Sequence, residues 1–255
     1  IYGSKAIYSF IPKNGCSTLR YSLAKANGCI DGADDIAWIH QNNTTFAASL
    51  SEMLTADYTF VILRCPYSRL VSVFLDKIVD QGRVFETFNR SWTKTLPTVA
   101  QVQTRMRKRI TGNGPIFPDQ FTFRDFVNLL HRERILYSDM HWTPQSAFLV
   151  YDKYDSVFQQ ENFSEAVSTL REKIGFEVCD ARSLTSHGTT HLGKADDQFF
   201  ADTPLTVLRQ MKQEGTVPAY TAMYDQSIRE SVADIYAEDF TTYNTHFGSK
   251  DLLFG

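Results

Sequence analysis

Residues 12–18 read Pro-Lys-Asn-Gly-Cys-Ser-Thr, between an apolar run and a helical pattern. The stretch gathers a cation (Lys13), a glycine (Gly15) and two hydroxyls (Ser17, Thr18) at one helix start. Unpaired backbone N–H groups and partial positive charge collect there, so an anion fits, most often a phosphate. Gly15 would let the main chain approach it closely. A capped helix with a surface lysine is the plainer alternative. The loop departs from the nucleotide pattern G-x-x-x-x-G-K-[ST]: Lys13 precedes the only glycine, and Phe60-Val-Ile-Leu-Arg64 ends in Arg where a magnesium-binding Asp would stand. A metal-held triphosphate is therefore disfavoured, and a P-loop-like kinase is a rival reading.

Arg64 supplies a second anion site. It ends an apolar, β-branched run, and open α/β sheets place ligands at strand carboxyl ends. Ser72 follows eight residues later, in a helical pattern. An arginine can give a phosphate two hydrogen bonds and a serine a third. A structural arginine, capping a helix or pairing with a carboxylate, is the alternative. Both sites together suit a nucleotide phosphorylated at its 5′ and 3′ ends.

Each site rests on a strand–loop–helix unit. Ile7–Ile11 reads as a buried strand; Leu19, Leu23 and Ala26 recur at helical spacing, ended by Asn27-Gly28. Residues 59–63 read as a strand buried on both faces. Leu70, Val71, Phe74, Leu75 and Ile78 form a helical stripe, with Arg69, Ser72 and Asp76 on the opposite face. Residues 80–120 read as an irregular, partly helical insertion. Its Phe85, Phe88 and Trp92 would stack on sugars or form a local core, and its basic run Arg105–Arg109 would bind an anionic glycan or be a solvated helix face. Further helices are expected at Phe123–Leu130, at Phe163–Ile174 capped by Gly175, and as one long helix from about Pro218 to Phe240. A strand is expected at Phe148–Tyr151 and a polar loop at Asp180–Asp202. Alternating strands and helices predict an α/β fold: a central parallel sheet flanked by helices, in a single domain spanning 1–255.

The 255 residues are 43% hydrophobic, with 19 Phe and 12 Tyr, which is ample for a folded core. A net charge of −3 gives no field for nucleic acid. Cys16, Cys29, Cys65 and Cys179 form no CxxC pair, so no zinc site and no disulfide framework is expected. That usage points to a reducing, cytoplasmic setting. Sequons at Asn42, Asn43, Asn89 and Asn162 keep a Golgi lumen open if an upstream anchor was trimmed. No apolar run reaches membrane-spanning length.

At this point the residues carry a resemblance. PKNGCSTLR resembles the 5′-phosphosulfate loop of the sulfotransferases, and RCPYSRLVSVFLDK their 3′-phosphate motif, usually R-[DE]-P-x-x-R-L-V-S-x-[FY]-x-x-K. Cys65 stands where that motif has an acid. DMHWTPQ (139–145), YDSVFQQENF (154–163) and SVADIYAEDFTTY (231–243) are similar to the carbohydrate sulfotransferases that include the chondroitin and HNK-1 enzymes. The resemblance implies a P-loop-NTPase-like fold and transfer of a sulfuryl group from 3′-phosphoadenosine 5′-phosphosulfate (PAPS) to a hydroxyl, expected on a glycan. The product would be 3′-phosphoadenosine 5′-phosphate (PAP), and no metal is required. It implies that Lys13 neutralises charge on the bridging and sulfuryl oxygens. The loop Asn14, Gly15, Cys16, Ser17 and Thr18 would bind the 5′-phosphate, and Arg64 and Ser72 the 3′-phosphate.

A general base is needed within reach of the acceptor. His40, in AWIHQNN between the two motifs, is the first candidate, expected at a strand end; relatives carry a histidine in this interval. His141 is the second, with a bracing role as its alternative. His187 and His191 have metal-like spacing without a helix to present them. A non-catalytic binding module on the same fold is the remaining rival.

Overall fold

The computed structural model describes residues 1–42, 44–80, 84–85, 88, 120–184 and 191–255. They fall into two compact units, each discontinuous in sequence. The first comprises Ile1–Cys65, Gln145–Gly188 and Thr242–Asp251; the second comprises Pro66–Pro144, Thr189–Thr241 and Leu252–Gly255.

The first unit is built on three parallel strands in the order β1 (Ala6–Ser9), β2 (Tyr58–Leu63), β3 (Ser156–Gln159). Ala6 lies opposite Tyr58, and Phe60 opposite Ser156. β2 is central, and Thr59–Leu63 are all buried, as the unbroken apolar run predicts. Helix α1 (Cys16–Ala26) turns Leu19 onto Phe60, Ile62 and Phe158, where α7 (Phe163–Ile174) adds Ala166 and Leu170. Its Tyr21 and Ala24 pack with Ile30, Ile39 and Ala181. Two short helices, α2 (Trp38–Gln41) and α3 (Leu50–Leu54), lie between α1 and β2 in the chain. Asn27 ends α1, and Gly175 ends α7 at φ 62°, a left-handed cap that glycine adopts without strain.

The second unit opens with α4 (Pro66–Val73), continued by a π-helical turn at Phe74–Ile78. Every residue of α4 is buried, Arg69 and Ser72 included. α5 (Phe123–Leu130) and α6 (Glu133–Leu136) follow. Strands β4 (Gly193–Ala195) and β5 (Thr216–Pro218) form a small parallel pair around α8 (Leu205–Gln213). Phe88 is fully buried, edge-on to Phe126 and Trp142 at 5.3 and 5.4 Å, so it belongs to the core and does not stack on sugar. Trp92, Arg105–Arg109 and His187 lie outside the described residues.

Three sequence expectations give way. Residues 148–151 are not a strand: Phe148 ends a 3₁₀ turn that begins at Gln145, and the third strand is Ser156–Gln159. The long C-terminal helix is two, α9 (Gln226–Ile235) and α10 (Ala237–Phe247). Thr216–Pro218 goes to the β4 pair instead, Asp225 caps α9 by accepting from Ile228 N–H (2.8 Å), and Tyr236 leaves helical geometry between the two. Part of the expected polar loop at 180–202 is the strand β4.

Candidate active site

The loop after β1 is shaped by two left-handed residues, Lys13 (φ 73°) and Gly15 (φ 71°). For a lysine this conformation costs on the order of 1 kcal/mol or more, a strain that persists only where the surroundings impose it. Gly15 is the N-cap of α1, and its carbonyl accepts from Leu19 N–H at 3.1 Å. The N–H groups of Cys16, Ser17 and Thr18 therefore have no intrahelical acceptor, and glycine brings no side chain to cap them. No acidic residue stands in the first turn. A Cβ on Gly15 would lie 2.8 Å from Gln160 Oε1 and 2.9 Å from a Phe163 ring carbon, so both the backbone angle and the space demand glycine.

The Asn14 side chain turns inward and is fully buried. Its Nδ2 donates to Ile62 O (2.8 Å) and to Gln145 Oε1 (2.6 Å). Gln145 Oε1 also accepts from Arg64 N–H (3.0 Å), and Gln145 Nε2 donates to Arg64 O (2.9 Å). Arg64 Nη1 in turn donates to Lys13 O at 2.9 Å. The loop and the carboxyl end of β2 are thus joined by both side chain and main chain. One residue on, Cys65 N–H donates to Glu161 Oε1 (3.0 Å), while the buried Tyr243 hydroxyl donates to Glu161 Oε2 (3.2 Å) and accepts from Gln159 Nε2 (2.6 Å). Burial pushes the Tyr243 phenol well above its ordinary pKa, keeping it a proton donor. Glu161 thus holds the main chain at Cys65.

Arg20, one turn into α1, lies over the Phe10 ring at 5.7 Å. Burial lowers its pKa, and the neighbouring Cys16 and Tyr8 raise it. The loop end of α1 therefore carries Arg20 besides Lys13.

The candidate bases sit differently. His40 is exposed on the one-turn helix α2, not at a strand end, although Ile39 beside it is buried against α1. His141, in the second unit, has Nδ1 2.6 Å from Asp139 Oδ1, with its own N–H on the same oxygen at 3.0 Å. A carboxylate on Nδ1 selects the tautomer that leaves Nε2 basic. Ser72 also belongs to the second unit and is buried in α4.

The structure thus brings Lys13, Asn14, Gly15, Cys16, Ser17, Thr18 and Arg64 together in one unit. It adds Gln145, Glu161 and Tyr243, which the sequence reading did not single out. Each is a polar residue within a stretch that resembles the carbohydrate sulfotransferases, and that was the available pointer to them. Among the described residues, no group of three or more His, Cys, Asp or Glu is placed to hold a metal ion, and no helix is long and apolar enough to cross a membrane.

A family model described as the sulfotransferase family matches residues 3–246. The match covers both anion-site motifs and nearly the whole chain, and the chain belongs to the sulfotransferase family, in its family-2 branch. The α/β architecture of parallel strands flanked by helices is consistent with that membership. Comparison with curated proteins and with solved structures returned no match. Membership implies sulfotransfer from a sulfonate donor to a hydroxylated acceptor.

Proposed function

We propose that the protein is a PAPS-dependent sulfotransferase acting on a carbohydrate hydroxyl, with a P-loop-like donor site. The observation that carries the reading is the hydrogen bond from Arg64 Nη1 to Lys13 O at 2.9 Å. It joins the cation of the second motif to the loop of the first, so two anion sites adjoin within one unit. A nucleotide phosphorylated at both ends needs that adjacency. The crowded Gly15 and the uncapped start of α1 fit the 5′-phosphate of such a donor.

PAPS supplies the sulfuryl group, which moves in line to the acceptor oxygen. The chain contributes positioning and charge. Backbone N–H groups of Cys16, Ser17 and Thr18, with the two hydroxyls, hold the 5′-phosphate. Lys13 neutralises charge that builds on the bridging oxygen, a role worth most where the group is already held in place. Arg64 holds the 3′-phosphate, and Ser72 joins it on the strength of the sequence motif. His40 takes the acceptor proton, on its place between the two motifs. His141 is a second reading for that role, favoured by its bond to Asp139.

The test is calorimetry with PAP in the absence of metal, beside ADP and ATP with magnesium. Strong preference for PAP supports the reading, and preference for magnesium–ATP replaces it with phosphoryl transfer. Arg64→Ala should weaken PAP far more than 5′-AMP, and equal losses would remove the 3′-phosphate role. His40→Ala should abolish turnover and spare PAP affinity. If it is active and His141→Ala is the dead variant, His141 is the base.

A further inference from the structure

Gln145 is 2% exposed, and its side chain makes at least three hydrogen bonds inside the first unit. Two go to the N–H and the carbonyl of the same residue, Arg64, at 3.0 and 2.9 Å. An adjacent strand engages the main chain in that paired way. The register of β2 with β3 ends at Leu63 opposite Gln159, so the glutamine amide takes over as partner one residue beyond it. The third bond, from Asn14 Nδ2 at 2.6 Å, ties the same amide to the loop.

The chemistry requires an amide of this length. Oε1 receives two N–H groups while Nε2 gives one, so a carboxylate cannot complete the set and a hydrocarbon supplies none of it. Without it, the half-buried Arg64 main chain would lose both of these partners.

We infer that Gln145 is a positioning residue for the donor: through Asn14 and Arg64 it fixes the spacing between the 5′-phosphate loop and the 3′-phosphate arginine. The inference deepens the sulfotransferase reading and rests on it. Its consequence is that one side chain governs affinity for both phosphates. Arg64→Ala differs, because it leaves the Gln145 bonds to the main chain of residue 64 in place and removes the guanidinium, with its bond to Lys13 O.

Wild type, Gln145→Leu and Gln145→Glu are titrated with PAP, 5′-AMP and 3′-AMP at a temperature well below each melting transition. Gln145→Leu should weaken PAP by about tenfold or more, with both monophosphates also weakened. Gln145→Glu keeps the two acceptor bonds and loses the donor to Arg64 O. It should lose affinity for PAP and 3′-AMP while 5′-AMP stays within about twofold. If Gln145→Leu does not fold, Gln145→Glu carries the test alone. A folded variant that binds PAP as wild type does overturns the positioning role, even if its melting temperature falls. Failure of wild type to bind PAP overturns the donor reading and this inference with it, and is read from wild type alone.

Discussion

The two units bury polar side chains to different ends. In the first, Asn14, Gln145 and Glu161 spend their hydrogen bonds on the main chain of Ile62, Arg64 and Cys65, where β2 runs out. In the second, the polar tips of large aromatics close on carbonyls: Trp142 Nε1 on Ile135 O (2.8 Å), Tyr236 on Trp142 O (2.7 Å) and Tyr224 on Tyr67 O (2.9 Å). Those bonds satisfy groups that a ring cluster would otherwise strand in an apolar interior. The same type of bond thus fixes the main chain at the end of β2 in one unit and seals a core in the other. Substitutions in the first should cost activity before stability, and those in the second stability before activity.

Lys13→Ala is the sharpest way to break that contrast. It should lower kcat about a hundredfold to a thousandfold, as loss of a charge-stabilising donor does, with little change in melting temperature. A variant that unfolds instead would make Lys13 structural. Trp142→Ala should do the reverse. The side chain is fully buried, so about 3–5 kcal/mol of unfolding free energy should be lost in urea titrations. Whatever remains folded at low temperature should bind PAP normally.

Gly15→Ala should show a smaller effect of the first kind. The new methyl must find room 2.8 Å from Gln160 Oε1 at a left-handed angle, and PAP affinity should fall about tenfold. Unchanged affinity would mean the loop does not hold the phosphate.

The smallest effect concerns pH and lies in the second unit. The Arg124 guanidinium, 2.7 Å from Asp225, holds that carboxyl below its ordinary pKa. A depressed folded-state pKa contributes stability that is complete above the unfolded value of about 4 and is lost as pH falls through the folded one. Arg124→Gln should therefore flatten the loss of stability between about pH 5 and pH 2. The Asp225 side chain is 39% exposed, so solvent screening keeps the effect below about 1 kcal/mol. Urea midpoints at neutral and acid pH measure it, and an unchanged slope would assign the cap of α9 to Ile228 N–H alone.

What could be read in advance was local. Residues 59–63 are apolar on both faces of a strand, so burial was implied by the side chains themselves. Phe123–Leu130 and Phe163–Ile174 carry helical periodicity, and Gly175 marks its end with the one residue suited to a left-handed cap. The composition of the loop at 12–18 pointed to an anion, because helix starts and anions attract by rules that span a few residues. Residues 148–151 look as much like a strand as Ser156–Gln159 does, and only pairing with Phe60–Leu63 decides between them. At the break, Tyr236 is likewise tied to a partner distant in the chain, its hydroxyl donating to Trp142 O. Gln145 is an unremarkable polar residue in sequence. Its importance arises from meeting Asn14 and Arg64, 131 and 81 residues away, one residue beyond the end of the β2–β3 register. Side-chain periodicity and capping act within a few residues and are written into the chain. Satisfaction of buried main-chain groups is a long-range condition, so only the folded structure could assign it.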